Sequence, residues 1–268
     1  DQSREAQRGM GQFMTPAPID RLIARGMVEG RTWRDGTMRA LDPAAGSGVL
    51  AAALVEAVLA LEHRPRRIEL LLCEIDERMG PLLAKCVGEL KALCAGSNVE
   101  LDARVVEGDF LLSPIALAHE AVVDAVIANP PYFKLARRDP RCLAHPQAVH
   151  GQPNIYALFM AVCARLLRVG GAFGFITPRS WTNGLYFRAA RAQLRASLAI
   201  DGLHLFDSRE AHFESDSVLQ EALITWGTAG RAQGDVGFSC SHGAHDLEQV
   251  RKFSHAASDV LGREAASP

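Results

Sequence analysis

Short apolar runs alternate with helical patterns along most of the chain. Five of these runs predict strands, at Met38–Leu41, Ile68–Cys73, Ala103–Val106, Val123–Ala128 and Ala172–Pro178. Helical patterns follow at about 49–61, 78–94, 155–167 and 186–196, and two closing strands cover residues 200–206 and 219–226. Alternation of this kind predicts a Rossmann-like α/β fold, a mostly parallel seven-stranded sheet with helices on both faces.

Two segments stand outside this alternation. Roughly twenty residues separate Tyr132 from Pro153, and loops of that length are usually functional or mobile. After Gly227 the chain is polar and weakly patterned. We therefore divide the sequence into an N-terminal segment (1–30), one α/β domain (31–227) and a tail or linker (228–268).

The total charge of the chain is close to neutral. Its 29 basic and 31 acidic residues give a net charge of −2. Phosphate contacts supply much of the affinity of a protein for DNA, so this total predicts weak unaided binding to a polyanion. The stretch FKLARRDPR is locally basic and, taken alone, is interpreted most simply as a solvated loop.

Composition favours a cytoplasmic protein without metal. No apolar run reaches membrane-spanning length, and the first ten residues contain no apolar signal core. The six cysteines form no CxxC pair and no short Cys/His spacing. They are interpreted as reduced thiols rather than as disulfides or metal ligands.

The stretch LDPAAGSGVL is typical of a turn that binds a nucleotide cofactor. Asp42 follows the first strand, and Gly46 and Gly48 precede a helix, where glycines let the backbone approach a ligand. Through Ala51 it also fits a relaxed dinucleotide pattern. The turn alone does not separate a nicotinamide enzyme from a methyltransferase, and a purely structural strand–helix turn is a further alternative.

Acidic residues follow the next two strands. Glu74 comes directly after the second strand, and its carboxylate can accept hydrogen bonds from a cofactor ribose. We favour it over Asp76, with Ile75 packing on an adenine ring. After the third strand, Asp109 can accept a hydrogen bond from the adenine amine, and Phe110 can pack on the ring. Solvation of the strand ends or helix capping would explain the same carboxylates.

The fourth strand ends in the stretch NPPY, which is Asn129, Pro130, Pro131 and Tyr132. Prolines cannot continue the hydrogen-bond ladder of a strand, so the chain turns away rigidly while their carbonyls stay available as acceptors. The Asn129 amide oxygen and the Pro130 carbonyl can hold the two hydrogens of one –NH2 group. With the Tyr132 ring beside them, the motif predicts a site for an amine attached to a flat or amide group.

The order of these motifs resembles a known family. GQFMTP (11–16) precedes DPAAGSG and NPPY, and the likeness continues through NIYALFMAVCARLLRVGGAFGFITPRSW and NGLYFRAAR. The chain resembles the S-adenosylmethionine-dependent DNA adenine-N6 methyltransferases of the gamma class, the TaqI-like and PstI/BsuBI-like methylases of Type II restriction–modification systems. The resemblance covers about residues 11–226 and makes residues 31–227 a catalytic methyltransferase domain.

The resemblance implies a role for each matched residue. S-adenosylmethionine is the expected cofactor, and its contacts fall on Thr15, Pro16, Asp42, Ala44, Gly46, Gly48, Glu74, Ile75, Asp109 and Phe110. The catalytic tetrapeptide falls on Asn129, Pro130, Pro131 and Tyr132. The flipped base is expected to stack on Tyr132 and Phe213.

The resemblance also implies double-stranded DNA as partner and methylation of the exocyclic N6 of an adenine. Such enzymes carry a target-recognition domain after the catalytic domain, so we expect that domain, or a partner subunit, to lie outside this chain. The main alternative is a protein-glutamine N5 methyltransferase, whose amide substrate fits the same motif. A nucleotide-binding module without chemistry is a third, which the intact NPPY disfavours.

Overall fold

One mixed sheet runs through the residues that this computed structural model describes, which are 16–118, 120–206, 222–247 and 250–261. In these residues its strands are β1 (Thr37–Asp42), β2 (Arg67–Glu74), β3 (Glu100–Glu107), β4 (Val123–Ala128), β5 (Leu167–Pro178), β6 (Leu198–Phe206), β7 (Ala222–Ala229), β8 (Val236–Ser241) and β9 (Arg251–His255). The helices are α1 (Ala17–Val28), α2 (Val49–Leu59), α3 (Gly80–Gly96), α4 (Pro114–Leu117), α5 (Pro140–Ala144), α6 (Ile155–Leu166), α7 (Arg188–Ser197) and α8 (Ala257–Leu261).

The strand order is β3-β2-β1-β4-β5-β7-β6-β8-β9. The first five strands are parallel, and β7 runs antiparallel between β5 and β6. The predicted α/β class is confirmed, but the described part of the sheet has nine strands rather than seven. The two additional strands, β8 and β9, lie in the segment interpreted as a tail. They are short and mostly exposed or half-buried, so they lack the apolar runs by which the other strands were found.

Helices cover both faces of the sheet. Along β4, Val126 and Ala128 point into the hydrophobic cluster under α6, while Ala125 and Ile127 point into the cluster under α1 and α2. A strand buried on both faces is mostly apolar, which explains why the predicted bounds of β4 agree with the observed bounds.

Helix α1 was not among the predicted elements. Ile19, Ile23 and Met27 are buried at helical spacing, and the Trp226 ring donates a hydrogen bond of 2.9 Å to the Ile23 carbonyl. A Cβ atom on Gly174 of β5 would lie 2.2 Å from the Met27 sulfur, so glycine lets α1 pack closely on the sheet. This helix begins directly after Pro16, and Asp20 on its buried side lies near Asp42 at the end of β1.

The carboxyl ends of β1, β2, β3 and β4 meet at one edge of the sheet. Asp42 is in register with Leu72, and Glu74 with Glu107, so the segments that follow these strands are neighbours. Ligands of open α/β folds bind outside this edge. The fold therefore gathers the glycine turn, both acidic segments and NPPY in one place.

Candidate active site

The two glycines of the turn between β1 and α2 have different surroundings. Gly46 and Gly48 have positive φ angles of 54° and 87°, which glycine adopts without strain. A Cβ on Gly46 would meet no atom within 4 Å, whereas one on Gly48 would lie 2.8 Å from the Cys86 sulfur. Gly46 thus leaves the backbone open toward a ligand, and Gly48 lets α2 and α3 pack together.

Glu74 fastens the glycine turn to the end of β2. Its side chain is buried and accepts hydrogen bonds from the backbone N–H of Gly46 at 2.7 Å, Ile75 at 3.0 Å and Asp76 at 2.9 Å. The Asp76 carboxylate is instead engaged by the Arg78 guanidinium at 2.6 and 2.8 Å. This difference supports Glu74 over Asp76 as the cofactor ligand, and its role toward a ribose stays a prediction.

Asp42 is fully buried behind the same turn. Its Oδ1 accepts a hydrogen bond from the Ala44 N–H at 3.2 Å, while Oδ2 has no hydrogen-bond partner among the described residues. Burial, together with the nearby Glu74 and Asp20 carboxylates, raises the pKa of Asp42 to about 8. Asp20 was not predicted as a site residue, and it lies on the buried side of α1 between Ile19 and Ile23.

Asp109 caps the short 3-10 helix Phe110–Leu112 that follows β3. Its Oδ1 accepts a hydrogen bond from the Leu111 N–H at 3.0 Å, and Arg141 Nη1 lies 3.7 Å from its Oδ2. The capping role weighed from the sequence is therefore present. This capping hydrogen bond uses Oδ1, while Oδ2 lies beside Arg141.

The packing of the Phe110 ring on a cofactor adenine stays a prediction. This ring is only 2% exposed and lies in the core, with its centroid 5.4 Å from that of Phe159. Phe110 is the first residue after the cap, and the direction of its side chain determines whether the ring is buried. The sequence does not show that direction. Ile75, which is 60% exposed beside Glu74, offers an open apolar surface instead.

The loop after NPPY is attached to the segment that contains Asp109. Besides the contact of Arg141 with Asp109, the buried His145 places Nε2 2.7 Å from the Leu111 carbonyl oxygen. Asp139 holds Arg141 with hydrogen bonds of 2.8 Å. These partners were missed because the basic stretch was interpreted as a solvated loop.

The Tyr132 hydroxyl of the NPPY motif contacts both Asn129 and the adjacent strand β5. This oxygen lies 2.5 Å from Asn129 Oδ1 and 3.0 Å from the Ile176 carbonyl on β5, and it can donate its proton to either. Burial, with a smaller contribution from Tyr156, raises the pKa of Tyr132 well above its ordinary value, so the phenol stays neutral. Asn129 and Tyr132 are half-exposed, and Pro130 is buried.

Residues of α6 and of the segment after β5 pack around Tyr132. The Tyr156 ring packs edge-on against Tyr132 at 5.9 Å and stacks on Phe187 at 5.4 Å. Its hydroxyl lies 2.8 Å from Ser180 Oγ. The motif NGLYFR was noted only as part of the family resemblance, and the structure shows that its Phe187 belongs to the packing around the tetrapeptide.

Two predicted contacts, Thr15 and Phe213, lie outside the described residues. Pro16 caps the start of α1, and Pro131 is half-buried. Within the described ranges, no group of His, Cys, Asp and Glu residues is arranged to hold a metal ion. None of the helices described there is long and apolar enough to cross a membrane.

Solved structures define the class of fold. The chain matches the type IIG restriction endonuclease BpuSI with a TM-score of 0.68 at 18% identity, over 98% of this chain and 33% of that one. It matches a Listeria monocytogenes protein, described as a class I S-adenosylmethionine-dependent methyltransferase, with a TM-score of 0.62 at 15% identity, over 88% and 68% of the two chains. The fold is that of the class I methyltransferases, whose cofactor is S-adenosylmethionine.

Sequence comparison shows which proteins the chain resembles. Residues 102–213 match the Eco57I restriction-modification methylase family. Over 241 residues the chain is 31% identical to the Type II methyltransferase M.BsuBI of Bacillus subtilis, a match that covers 87% of this chain and 46% of the relative. The chain thus spans slightly less than half the length of this curated relative. The resemblance to the methylases of restriction–modification systems is confirmed.

The described residues fit S-adenosylmethionine in charge and shape. This cofactor carries a sulfonium and an ammonium group, and the buried Asp42 has an acceptor atom, Oδ2, without a described partner. The open backbone at Gly46 and the exposed Ile75 lie at the same edge of the sheet. A cationic ligand would stabilise the ionised form of Asp42, whose pKa burial raises to about 8, and would offset the charge of Glu74.

Proposed function

We propose that this chain transfers a methyl group from S-adenosylmethionine to the exocyclic N6 of an adenine flipped out of duplex DNA, as the modification part of a restriction–modification system. The observation that carries the proposal is the placement of Asn129. It leaves β4 at the same edge as the glycine turn, and its amide oxygen is fixed by Tyr132 at 2.5 Å. The match to restriction–modification methylases supports DNA as substrate.

We assign the cofactor contacts by position along this edge. Glu74 binds the ribose hydroxyls, Ile75 packs on the adenine ring, and Asp109 Oδ2 accepts a hydrogen bond from the adenine amine. Asp42 faces the positively charged end, together with the backbone of Ala44–Gly48. The N-terminal residues Thr15 and Pro16 complete the contacts at the methionine end.

Asn129 and Pro130 act on the amine of the target base. The lone pair of that amine is delocalised into the ring, which makes it a poor nucleophile. Acceptance of its two hydrogens by Asn129 Oδ1 and the Pro130 carbonyl favours a pyramidal nitrogen and stabilises the positive charge that develops there. Because the bound sulfonium is a good leaving group, positioning by the protein supplies most of the remaining rate enhancement.

Tyr132 has two roles in this proposal. Its hydroxyl donates a hydrogen bond to Asn129 Oδ1 and orients this oxygen, which as a carbonyl oxygen can accept more than one hydrogen bond. Its ring provides a stacking face for the extruded base. Flipping a base costs a few kcal/mol, and stacking of about 1–3 kcal/mol per base offsets part of this cost.

Analysis of the methylated product tests the proposal. The protein is incubated with unmethylated plasmid DNA and S-adenosylmethionine labelled on the methyl group, and the DNA is digested to nucleosides. We expect the label in N6-methyladenine, and its loss in the Asn129→Ala variant. Label in N4-methylcytosine would contradict the choice of base. Label only in an added glutamine peptide, with none in DNA, would favour the glutamine alternative.

A further inference from the structure

The charge of this chain is strongly segregated along the sequence. Residues 129–200 contain ten basic side chains and one acidic side chain, Asp139. The rest of the chain contains nineteen basic and thirty acidic side chains. The near-neutral total therefore conceals a basic region, which begins at the catalytic motif and continues to the start of β6.

Five cations of this region form what we call the basic face: Lys134, Arg137, Arg138, Arg179 and Arg188. All five are exposed, and none forms an ion pair within the described ranges. On β2, by contrast, Arg67 contacts the carboxylates of Glu69, Glu100 and Asp102. An exposed cation without a carboxylate partner keeps its charge available for an external anion.

The basic face adjoins the catalytic motif. Lys134 lies two residues after Tyr132 and pairs with Asn154 in a β-bridge. Arg179 and Arg188 directly flank a segment, residues 180–187, whose two ends both contact Tyr156, the residue that packs against Tyr132. Lys134, Arg179 and Arg188 therefore lie on segments that adjoin Tyr132 or the residue that packs against it.

Internal contacts hold the backbone that carries these cations. Arg191 donates hydrogen bonds of 2.7 Å to the carbonyls of Trp181 and Gly184, which fixes the turn between Arg179 and Arg188. A Cβ on Gly151 would lie 2.4 Å from the Tyr186 ring, so the loop after NPPY packs against that turn. Arg141 and His145 join the loop to the segment after β3. The face is therefore formed without a ligand.

We infer that the basic face binds the phosphate backbone of duplex DNA without regard to sequence, and holds the duplex while a base enters the catalytic site. This inference rests on the proposed function. Each neutralised phosphate releases counterions, and contacts of this type fix the position of a protein on DNA without reading bases. Segregated charge also attracts a polyanion locally even when the net charge is near zero. Unaided DNA binding should therefore be stronger than the net charge predicts.

The test compares two variants that lose the same amount of charge. The first replaces Arg137, Arg138, Arg179 and Arg188 by alanine. The control replaces Arg21, Arg25, Lys85 and Lys91, four exposed cations on α1 and α3. Binding of a fluorescent duplex of mixed sequence is followed by anisotropy between ~50 and ~200 mM salt, where loss of each phosphate contact lowers the slope of log K against log salt by about 1.

We expect the first variant to bind at least tenfold more weakly and to lose about three to four units of salt slope, with the control close to wild type. An equal loss in both variants would show that only net charge matters and would overturn the inference. Tighter binding of a duplex RNA of the same sequence would overturn the choice of DNA. Binding is measured without methyl transfer, so a wrong assignment of the methylated base would leave this result unaffected.

Discussion

The two sides of the NPPY motif carry different ionisable side chains in opposite environments. On the side of β1, β2 and α1, the carboxylates of Asp20, Asp42 and Glu74 are buried. On the side after β4, the cations of the basic face are exposed. The first arrangement suits a small cation enclosed by protein, and the second suits a large anion on the surface. Asn129 lies where the two sides meet, as the proposed methyl transfer between such ligands requires.

The largest expected effect is the loss of turnover when the amide of Asn129 is removed. Asn129→Ala removes an acceptor that contributes most as the amine becomes positively charged, so we expect the turnover rate to fall by about a hundredfold or more. Cofactor affinity, measured by calorimetry, should stay within a few-fold of wild type. A matching loss of cofactor affinity would instead indicate a general disturbance of the site.

Loss of Glu74 should affect the acidic side alone. Glu74→Ala removes three backbone hydrogen bonds and the proposed ribose acceptor, so cofactor affinity should fall by about tenfold to a hundredfold. Asp76→Ala is the matched control, because its carboxylate is engaged by Arg78. Equal losses in the two variants would remove Glu74 from its proposed role. Melting temperatures report whether the Glu74→Ala turn remains folded.

Cofactor affinity should depend on pH through Asp42. Burial raises the pKa of this carboxyl to about 8, so near pH ~6 a cationic ligand has to displace its proton. We expect affinity to increase between pH ~6 and ~8, with release of a proton that calorimetry in buffers of different ionisation enthalpy detects. Asp42→Asn should bind more weakly and lose this pH dependence.

The raised pKa of Asp42 should also make the stability of the cofactor-free protein depend on pH. The unfolded carboxyl has an ordinary pKa of 3.8, so the folded state retains a proton that the unfolded chain releases between that value and about 8. Stability should therefore decrease as the pH rises through this window, and less steeply in Asp42→Asn. If stability depended on pH identically in wild type and in Asp42→Asn, Asp42 would not bind a proton in the folded state, and the prediction would be contradicted.

The smallest effect concerns the Tyr132 hydroxyl. Tyr132→Phe retains the stacking ring but removes the hydrogen bond that orients Asn129, so we expect turnover to fall by only about tenfold, the value of one such hydrogen bond. Tyr132→Ala should in addition weaken retention of an extruded fluorescent adenine analogue. If both variants lose that retention equally, the hydroxyl rather than the ring holds the base.

The buried centre of this fold was predictable from the sequence, and its margins were not. Val123–Ala128 is apolar except for Asp124 because both faces of β4 are covered, and its predicted bounds agree with the structure. Strands β8 and β9 lie at the edge of the sheet, where exposed residues such as Lys252 dilute any apolar pattern. Helix α1 could have been found, since Ile19, Ile23 and Met27 recur at helical spacing.

The positions of the candidate site residues followed from the sequence, but their partners did not. Asp42, Glu74 and Asn129 each end a parallel strand, and parallel strands end at one edge. The contact of Arg141 with Asp109 joins a loop to a different strand end, and no local pattern encodes such packing. The burial of Phe110 likewise depends on Phe159, which lies far along the chain.

The most direct test of this division is to measure the binding of both ligands to two variants. Glu74→Ala and the alanine variant of Arg137, Arg138, Arg179 and Arg188 are each titrated with S-adenosylmethionine and with duplex DNA. The account predicts that the first loses cofactor affinity and keeps DNA affinity, while the second keeps cofactor affinity and loses DNA affinity. If either variant loses both affinities in proportion while remaining folded, the two sides are not separate binding surfaces, and the account is contradicted.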